Sequence, residues 1–323
     1  MNSQSGLLGR DLLNLATLSA DELSLLLDSA ATIKLALKNG APHPLLAGRT
    51  LAMIFEKPSL RTRATFETGM AQLGGHAVDL AHEHLQMGVR ESIADVGRNL
   101  DRWVDAIMAR VFTHSTLTEL AEAADVPVIN GLSDRSHPCQ ILADLLTLRE
   151  SKGRLEGIKL AYVGDGFNVA NSLIAAAPRV GMSITLACPD GFEPSPDAIA
   201  EARAVANGST SIQVVRDPRE AVSGADAVYT DSWISMGLED ELETRLRAFG
   251  PYQVNADLMD AAGDDAIFMH CLPAHRGEEV TDAVIDSPNS VVFDQAENRM
   301  WAQMSLLTYL CNEAAWHTYR DLG

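Results

Sequence analysis

Short unbroken apolar runs alternate along this chain with stretches whose apolar residues recur at helical spacing. Leu51 to Phe55 is a run of strand length, and Ala64 to Leu73 has helical periodicity closed by Gly74-Gly75. The pattern then predicts a short strand near Ala77 to Leu80 and a helix from about Glu91 to Trp103. A buried strand from Ala106 to Val111, a helix from about Thr116 to Ala124, a strand from Val128 to Asn130 and an apolar helix from Ile141 to Leu148 follow. Pro138 is pre-set for the first turn of that last helix. Upstream, Ser19-Ala20-Asp21-Glu22 has capping-box spacing, and its helix continues on Leu23, Leu26, Leu27 and Ala30 to Gly40.

The second half repeats the rhythm. Lys159 to Val163 leads to a helix from about Asn168, Ser183 to Ala187 to one from about Pro196, and Ser211 to Val215 to a short helix. Further strands are expected at Ala227 to Thr230, Gln253 to Asn255, Ala266 to Met269 and Val291 to Phe293. A long helix from about Ala296 to Tyr319 carries Trp301, Met304, Leu307 and Leu310 on or near one stripe. Strands alternating with helices imply an α/β fold with mostly parallel sheets flanked by helices. The length of 323 residues suits two such domains. The polar break Ser151-Lys152-Gly153-Arg154 sets their expected limits at 1–150 and 151–323, with the final helix (about 296–319) packing back on the first domain.

Composition narrows the class. With 46% hydrophobic and 21% charged residues, a sizeable core needs no disulfide staples. Cys139, Cys188, Cys271 and Cys311 are dispersed and form no CxxC pair, so they read as reduced thiols of a cytoplasmic protein. No apolar run approaches the roughly 18 residues that span a bilayer, and the N-terminus has no basic and apolar leader pattern. A net charge of −19 argues against nucleic-acid partners.

Against that acidic background, Ser59-Leu60-Arg61-Thr62-Arg63 is a cationic island at a strand-to-helix turn. Free backbone N–H groups, the positive end of the helix dipole and guanidinium forks suit a phosphate there; a solvated surface loop is the alternative reading of this stretch alone. Other candidates follow the ends of expected strands, where open α/β sheets bind ligands. Arg110 ends one strand, and a charge there is paired or at a site. His137 and Gln140 sit one turn apart at a helix start, where capping alone would also explain them. Gly164-Asp165-Gly166-Phe167-Asn168 is only a partial dinucleotide fingerprint, with Val169 in the place of its last glycine. Asp231 could hold an ammonium or simply make a turn. In His270-Cys271 a catalytic dyad is geometrically poor, because adjacent strand residues face opposite ways. His82 and His84 lack a third ligand nearby and read as loop histidines, and Glu239 to Glu243 as a solvated first helical turn.

Taken in order, these segments resemble the ornithine carbamoyltransferases of the aspartate/ornithine carbamoyltransferase family. Ser59-Leu60-Arg61-Thr62-Arg63 resembles the phosphate motif and His137-Pro138-Cys139-Gln140 the carbamoyl motif. Asp231 with Ser235-Met236-Gly237 resembles the ornithine loop, His270-Cys271-Leu272-Pro273 the family's His-Cys-Leu-Pro, and Ala296-Glu297-Asn298-Arg299 its final arginine segment. The likeness spans about Ser19 to Tyr319.

The resemblance implies carbamoyl transfer from carbamoyl phosphate to the δ-amine of ornithine, with no metal or organic cofactor. Ser59, Leu60 through its backbone, Arg61, Thr62, Arg110 and Arg299 are then expected around the phosphate. His137, Gln140, Cys271 and Leu272 are expected near the carbamoyl group, with Arg61, Arg110, His137 and Cys271 as the catalytic set. Gln86 matches a residue contributed by a neighbouring subunit, which implies a homotrimer. Asn168, Asp231, Ser235 and Met236 are expected on ornithine. Two departures stand out: Leu60 where the ornithine enzymes often have Thr, and Phe167 beside Asn168. Leu60 keeps an N-acylornithine acceptor open, and putrescine is a further alternative, whereas Asp231 with the Ser-Met-Gly loop favours free ornithine.

Overall fold

The computed structural model describes residues 6–81, 85–206, 208–234 and 239–320. His82, His84, Ser235 and Met236 therefore lie outside the described residues. The chain forms two compact units, one of Met1–Ala143 with Arg299–Gly323 and one of Asp144–Asn298. Both are parallel sheets flanked by helices, the architecture that the strand and helix rhythm implies.

In the first unit, β1 (Thr50–Phe55), β2 (His76–Ala81), β3 (Ala106–Arg110) and β4 (Val128–Leu132) form a sheet of order β2-β1-β3-β4. All three pairings are parallel. Residues Leu51 to Phe55 are buried throughout, as expected of a strand covered on both faces. Ile54, Ile107 and Val128 share one core with Val96, Leu100, Leu117 and Leu120 of two covering helices. Between β3 and β4 the register shifts at Ala109/Arg110, so that Ala109 faces Asn130 and Arg110 faces Leu132. The extra residue is Gly131 on β4, so the bulge lies in β4 opposite the C-terminal end of β3, where Arg110 sits.

The helix Ala20–Lys38 has the expected capping box, with Ser19 accepting from the Glu22 N–H and Glu22 accepting from the Ser19 N–H. The last helix, Val292–Arg320, contains a non-helical residue at Asn312. From Arg299 onward it belongs to the first unit, where Ser305 bonds the Leu26 carbonyl at 2.8 Å and the Ser29 hydroxyl. Each buried hydroxyl thus finds a partner, which avoids an otherwise costly desolvation.

The second unit contains β5 (Lys159–Val163), β6 (Ser183–Ala187), β7 (Ile212–Val215), β8 (Ala227–Thr230) and β9 (Ile267–His270) in the order β7-β6-β5-β8-β9. The chain runs outward from β5 through β6 to β7, then returns to the other side of β5 as β8. That reversal is a topological switch point, and it opens the loops after β5 and β8 as a ligand crevice.

Several expected boundaries move. The helix opened by Pro138 runs to Lys152, beyond the expected Leu148. Gln253 to Asn255 is not a strand: Val254 makes one isolated bridge to Val280, and the Asn255 side chain caps the helix Ala256–Ala262. Val291 to Phe293 is not a strand either. Ser290 keeps a single bridge to Phe268, and Val292 begins the final helix. Runs of three residues carry too little periodicity to separate strand from helix start; at Asn255 the helix cap decided the case, and at Val292 the final helix itself.

Gly166 shows how tightly the loop after β5 is packed. A Cβ there would lie 2.2 Å from the Pro194 nitrogen and 2.4 Å from the Glu193 carbonyl carbon, backbone atoms that cannot swing aside. Gly166→Ala is expected to destabilise by about 2 to 3 kcal/mol, which lowers the thermal midpoint by roughly 4 to 10 °C. Gly250→Ala, at φ −47° with nothing within 4 Å, is the control and is expected to be neutral. Equal midpoints for the two variants would contradict this packing account.

Candidate active site

In the first unit the helix Leu60–Gln72 begins at Ser59, whose hydroxyl accepts from the Thr62 N–H at 3.3 Å. This cap leaves the first amides of the helix at the positive end of its dipole. Leu60 is 78% exposed, so its side chain packs on nothing while its backbone lies in the turn. The Arg110 carbonyl accepts from the Glu56 N–H at 2.9 Å, and the Glu56 carboxylate accepts from the Phe112 N–H at 2.6 Å. The ends of β1 and β3 are thereby tied together beneath the turn.

Arg299 is buried, and its fork is directed by the first unit itself. It donates to Gln140 Oε1 at 2.7 Å and to Thr62 Oγ1 at 3.1 Å. His137, also buried, has its imidazole pKa pushed well below 6.5, first by desolvation and then by the positive charges of Arg299, Arg110 and Arg61. The three guanidiniums therefore surround one neutral imidazole. The structure brings Ser59, Arg61, Thr62, Arg110, His137, Gln140 and Arg299 into one group. Gln86 stands apart: it is exposed, has φ 45°, and its carbonyl accepts the Val89 and Arg90 N–H groups in a turn.

In the second unit the loops after β5, β8 and β9 meet. Asn168 is the first residue of the helix Asn168–Ala176, not its cap, and its Oδ1 accepts from the Val169 N–H at 2.8 Å. Asp231 Oδ1 accepts from the Ser232 N–H at 2.8 Å and from the Cys271 thiol at 2.9 Å. His270 is fully buried, and its Nδ1 accepts from the Leu272 N–H at 2.8 Å. Nε2 then carries the ring proton and donates to Glu279 at 3.1 Å. The imidazole and the thiol thus serve different partners, as the alternation of strand faces requires.

Below them, Tyr162 and Tyr229 are held protonated by burial, reinforced for Tyr162 by Asp231 and for Tyr229 by Asp144. Tyr229 donates to Asp144 at 3.0 Å, Gln295 Nε2 donates to the same carboxylate at 2.7 Å, and Gln295 Oε1 accepts from the His270 N–H at 3.0 Å. This network fixes the end of β9 from behind.

Ligand atoms of Asp231, His270 and Cys271 lie within 4.8 Å of one another, as do those of His275, Glu278 and Glu279. In the first group both His270 nitrogens and the thiol already have the hydrogen-bond partners named above. All four cysteines are free thiols. Burial pushes Cys139, Cys188 and Cys311 up to about 12, which makes them inert.

Sequence reading passed over Arg245 and Asp165. Arg245 donates to Asp165 at 2.6 Å, to the Trp233 carbonyl at 3.0 Å and through Nε to Glu241 at 2.8 Å. Glu241 is thus engaged by an ion pair rather than merely solvated. Burial outweighs Arg245 and lifts the Asp165 carboxyl to about 6, so it is ionised above that pH. Asp165 stood in the partial Gly164 to Asn168 fingerprint without a role of its own, and an arginine on a polar helix reads as solvated.

Comparison with known proteins gives a consistent picture. The model of the carbamoyl-P binding domain of the aspartate/ornithine carbamoyltransferases matches residues 10–150, and that of their Asp/Orn binding domain matches residues 156–310. The anabolic ornithine carbamoyltransferase of Pyrococcus furiosus is 55% identical over 303 residues, covering 93% of this chain and 96% of that protein. An ornithine carbamoyltransferase of Thermococcus kodakarensis is 54% identical over 303 residues, covering 93% and 96%. A solved structure of ornithine carbamoyltransferase from Pyrococcus furiosus superposes with a TM-score of 0.92 at 54% identity, covering 94% of this chain and 98% of that one.

The depressed His137 pKa has a measurable consequence. Its folded value lies below the ordinary 6.5, so below that pH the unfolded chain binds the proton and the folded one resists it. Stability is therefore lost as pH falls through this window. The unfolding midpoint is expected to drop between about pH 7.5 and about pH 5.5, and to drop less in His137→Gln. Identical pH slopes would mean that His137 is not held neutral.

Proposed function

The chain belongs to the aspartate/ornithine carbamoyltransferase family, and from that premise we infer that it transfers the carbamoyl group of carbamoyl phosphate to the δ-amine of L-ornithine, giving L-citrulline and phosphate in arginine biosynthesis. The observation that carries the reading in the molecule itself is the convergence of Arg61, Arg110 and Arg299 on His137 beside the Ser59 helix start. Such an array suits a small dianion that also bears a carbonyl.

In this reading residues 1–150 bind carbamoyl phosphate and residues 151–323 bind ornithine. Ser59, the backbone of Leu60, Arg61, Thr62, Arg110 and Arg299 hold the phosphate. His137, kept neutral by its cationic neighbours, and Gln140, oriented by Arg299, address the carbamoyl group. On the acceptor side Asn168 and Met236 bind the α-carboxylate and Asp231 the α-ammonium, with Ser235 helping to close the loop. Cys271 and Leu272 lie by the δ-amine and the carbamoyl group. Asp231 with the Ser-Met-Gly loop favours free ornithine over an acylated acceptor, because an N-acyl group removes the charge that its carboxylate pairs with. The names of the relatives support the same acceptor.

The neutral δ-amine attacks the carbonyl carbon and a C–N bond forms in a tetrahedral intermediate. The C–O bond to phosphate then breaks, and the departing phosphate takes the amine's proton. Arg61, Arg110 and His137 meet the developing negative charge with donors already in place, so little reorganisation is required as the reaction proceeds. Every step uses side chains of this chain and the two substrates.

The exposed, turn-bound Gln86 supports a role in the site of a neighbouring copy, and with it a homotrimer. Dispersed free cysteines support a reducing, cytoplasmic setting. Among the described residues no helix is long and apolar enough to cross a membrane.

The test is citrulline formation from carbamoyl phosphate and ornithine, with N-acetylornithine and putrescine as competing acceptors. Ornithine is expected to have the highest kcat/KM, and a higher value for another acceptor would overturn the assignment. Arg61→Met is expected to lower kcat/KM by about 100- to 1000-fold. Leu60→Thr, at an exposed side chain whose backbone does the binding, is expected to change kcat/KM for ornithine by less than about threefold. A larger change would show that this side chain shapes the site.

A further inference from the structure

Arg245 is only 5% exposed, yet it lies on the helix Leu242–Phe249, away from every motif that pointed to function. Its partners are specific. The fork reaches Asp165 at 2.6 Å in the loop after β5, the Trp233 carbonyl at 3.0 Å in the loop after β8, and Glu241 at 2.8 Å at the start of its own helix. Asp165 stands just before Asn168, and Trp233 just after Asp231. One guanidinium thus touches both loops assigned to ornithine.

Aromatic rings fix the fork from its faces. The Arg245 Cζ lies 5.1 Å from the Phe192 ring centroid and 6.0 Å from that of Phe249. Phe249 in turn meets Phe192 at 4.8 Å and Trp233 at 5.9 Å between centroids. The Phe192 carbonyl accepts from the Gly166 N–H at 2.9 Å, so the box that holds the guanidinium also holds the turn between Asp165 and Asn168. All of these partners belong to the second unit.

We propose that Arg245 is a positioning residue for ornithine, locking the loops after β5 and β8 into the one arrangement in which Asn168 and Asp231 receive the amino acid. The proposal rests on the ornithine reading of those two residues. Nη1 donates to both Asp165 and the Trp233 carbonyl while Nε holds Glu241; a lysine ammonium has a single nitrogen and cannot keep all three acceptors in this geometry. Small displacements of binding groups have large kinetic consequences, so loosening the lock is expected to act on ornithine and to spare carbamoyl phosphate.

Three variants are to be compared with the wild type: Arg245→Met, Arg245→Lys and Asp165→Asn. Steady-state kinetics give KM for ornithine and kcat, and calorimetric titration gives the dissociation constant for carbamoyl phosphate. Arg245→Met is expected to raise KM for ornithine by about tenfold or more while the carbamoyl phosphate constant stays within about twofold. Arg245→Lys and Asp165→Asn are expected to fall between Met and wild type. If Arg245→Met does not fold, the other two decide by the same criterion. An unchanged KM for ornithine in a folded variant would overturn the proposal, as would an equal weakening of both substrates, which is the mark of general destabilisation. A wild type that forms no citrulline would instead overturn the functional reading on which the proposal stands.

Discussion

Three guanidinium groups held around one buried imidazole are the constraint on which the first unit depends. Arg61, Arg110 and Arg299 all act on His137, and Arg299 is buried with it while Arg61 and Arg110 are half-buried. Two like charges 4 Å apart repel by about 4 kcal/mol at an effective dielectric of 20, so the arrangement persists only because each member is anchored elsewhere. Arg61 is part of the first turn of its helix, Arg110 ends β3 opposite Leu132, and Arg299 is bonded to Gln140 and Thr62. Packing of the core offsets the repulsion. An anion that enters the group relieves it, so part of the binding free energy is already stored in the free protein.

The second unit solves a different problem. Its strand ends bring a carboxylate and a thiol together beside phenols that stay neutral. Tyr162 and Tyr229 stay protonated, and they donate to the Asp165 carbonyl and the Asp144 carboxylate, respectively. Asp231 is thereby left as the acceptor at the end of β8, with the Cys271 thiol turned toward it. Because β5 and β8 flank the switch point, the loops that carry Asn168 and Asp231 are neighbours by topology, and Arg245 needs only one guanidinium to reach both.

The legibility of these features in the sequence follows from their range. Buried parallel strands are contiguous apolar runs, so β1, β5, β6 and β8 could be read directly, and with them the places where ligand residues follow strand ends. The turn at Ser59 was legible because cap, helix and arginines are adjacent in the chain. Gln253 to Asn255 and Val291 to Phe293 misled because three residues hold too little periodicity to outweigh a nearby helix start. Arg245 and Asp165 were illegible for another reason: they are 80 positions apart, and each is an ordinary surface residue in its own window. Only the fold makes them a pair. The bulge at Gly131 beside Arg110 was equally hidden, since it depends on how β4 registers against β3.

Net charge and local charge therefore carry separate information in this protein. A total of −19 describes exposed carboxylates whose fields are screened within a Debye length of about 8 Å at physiological salt. His137 and Arg299 are buried and Arg61 and Arg110 half-buried, so screening there is weaker than at the surface. The excess of acid disfavours extended polyanions, which would have to lie along that surface, and leaves a small dianion able to enter. Size, rather than charge alone, then separates what this chain can bind from what it repels.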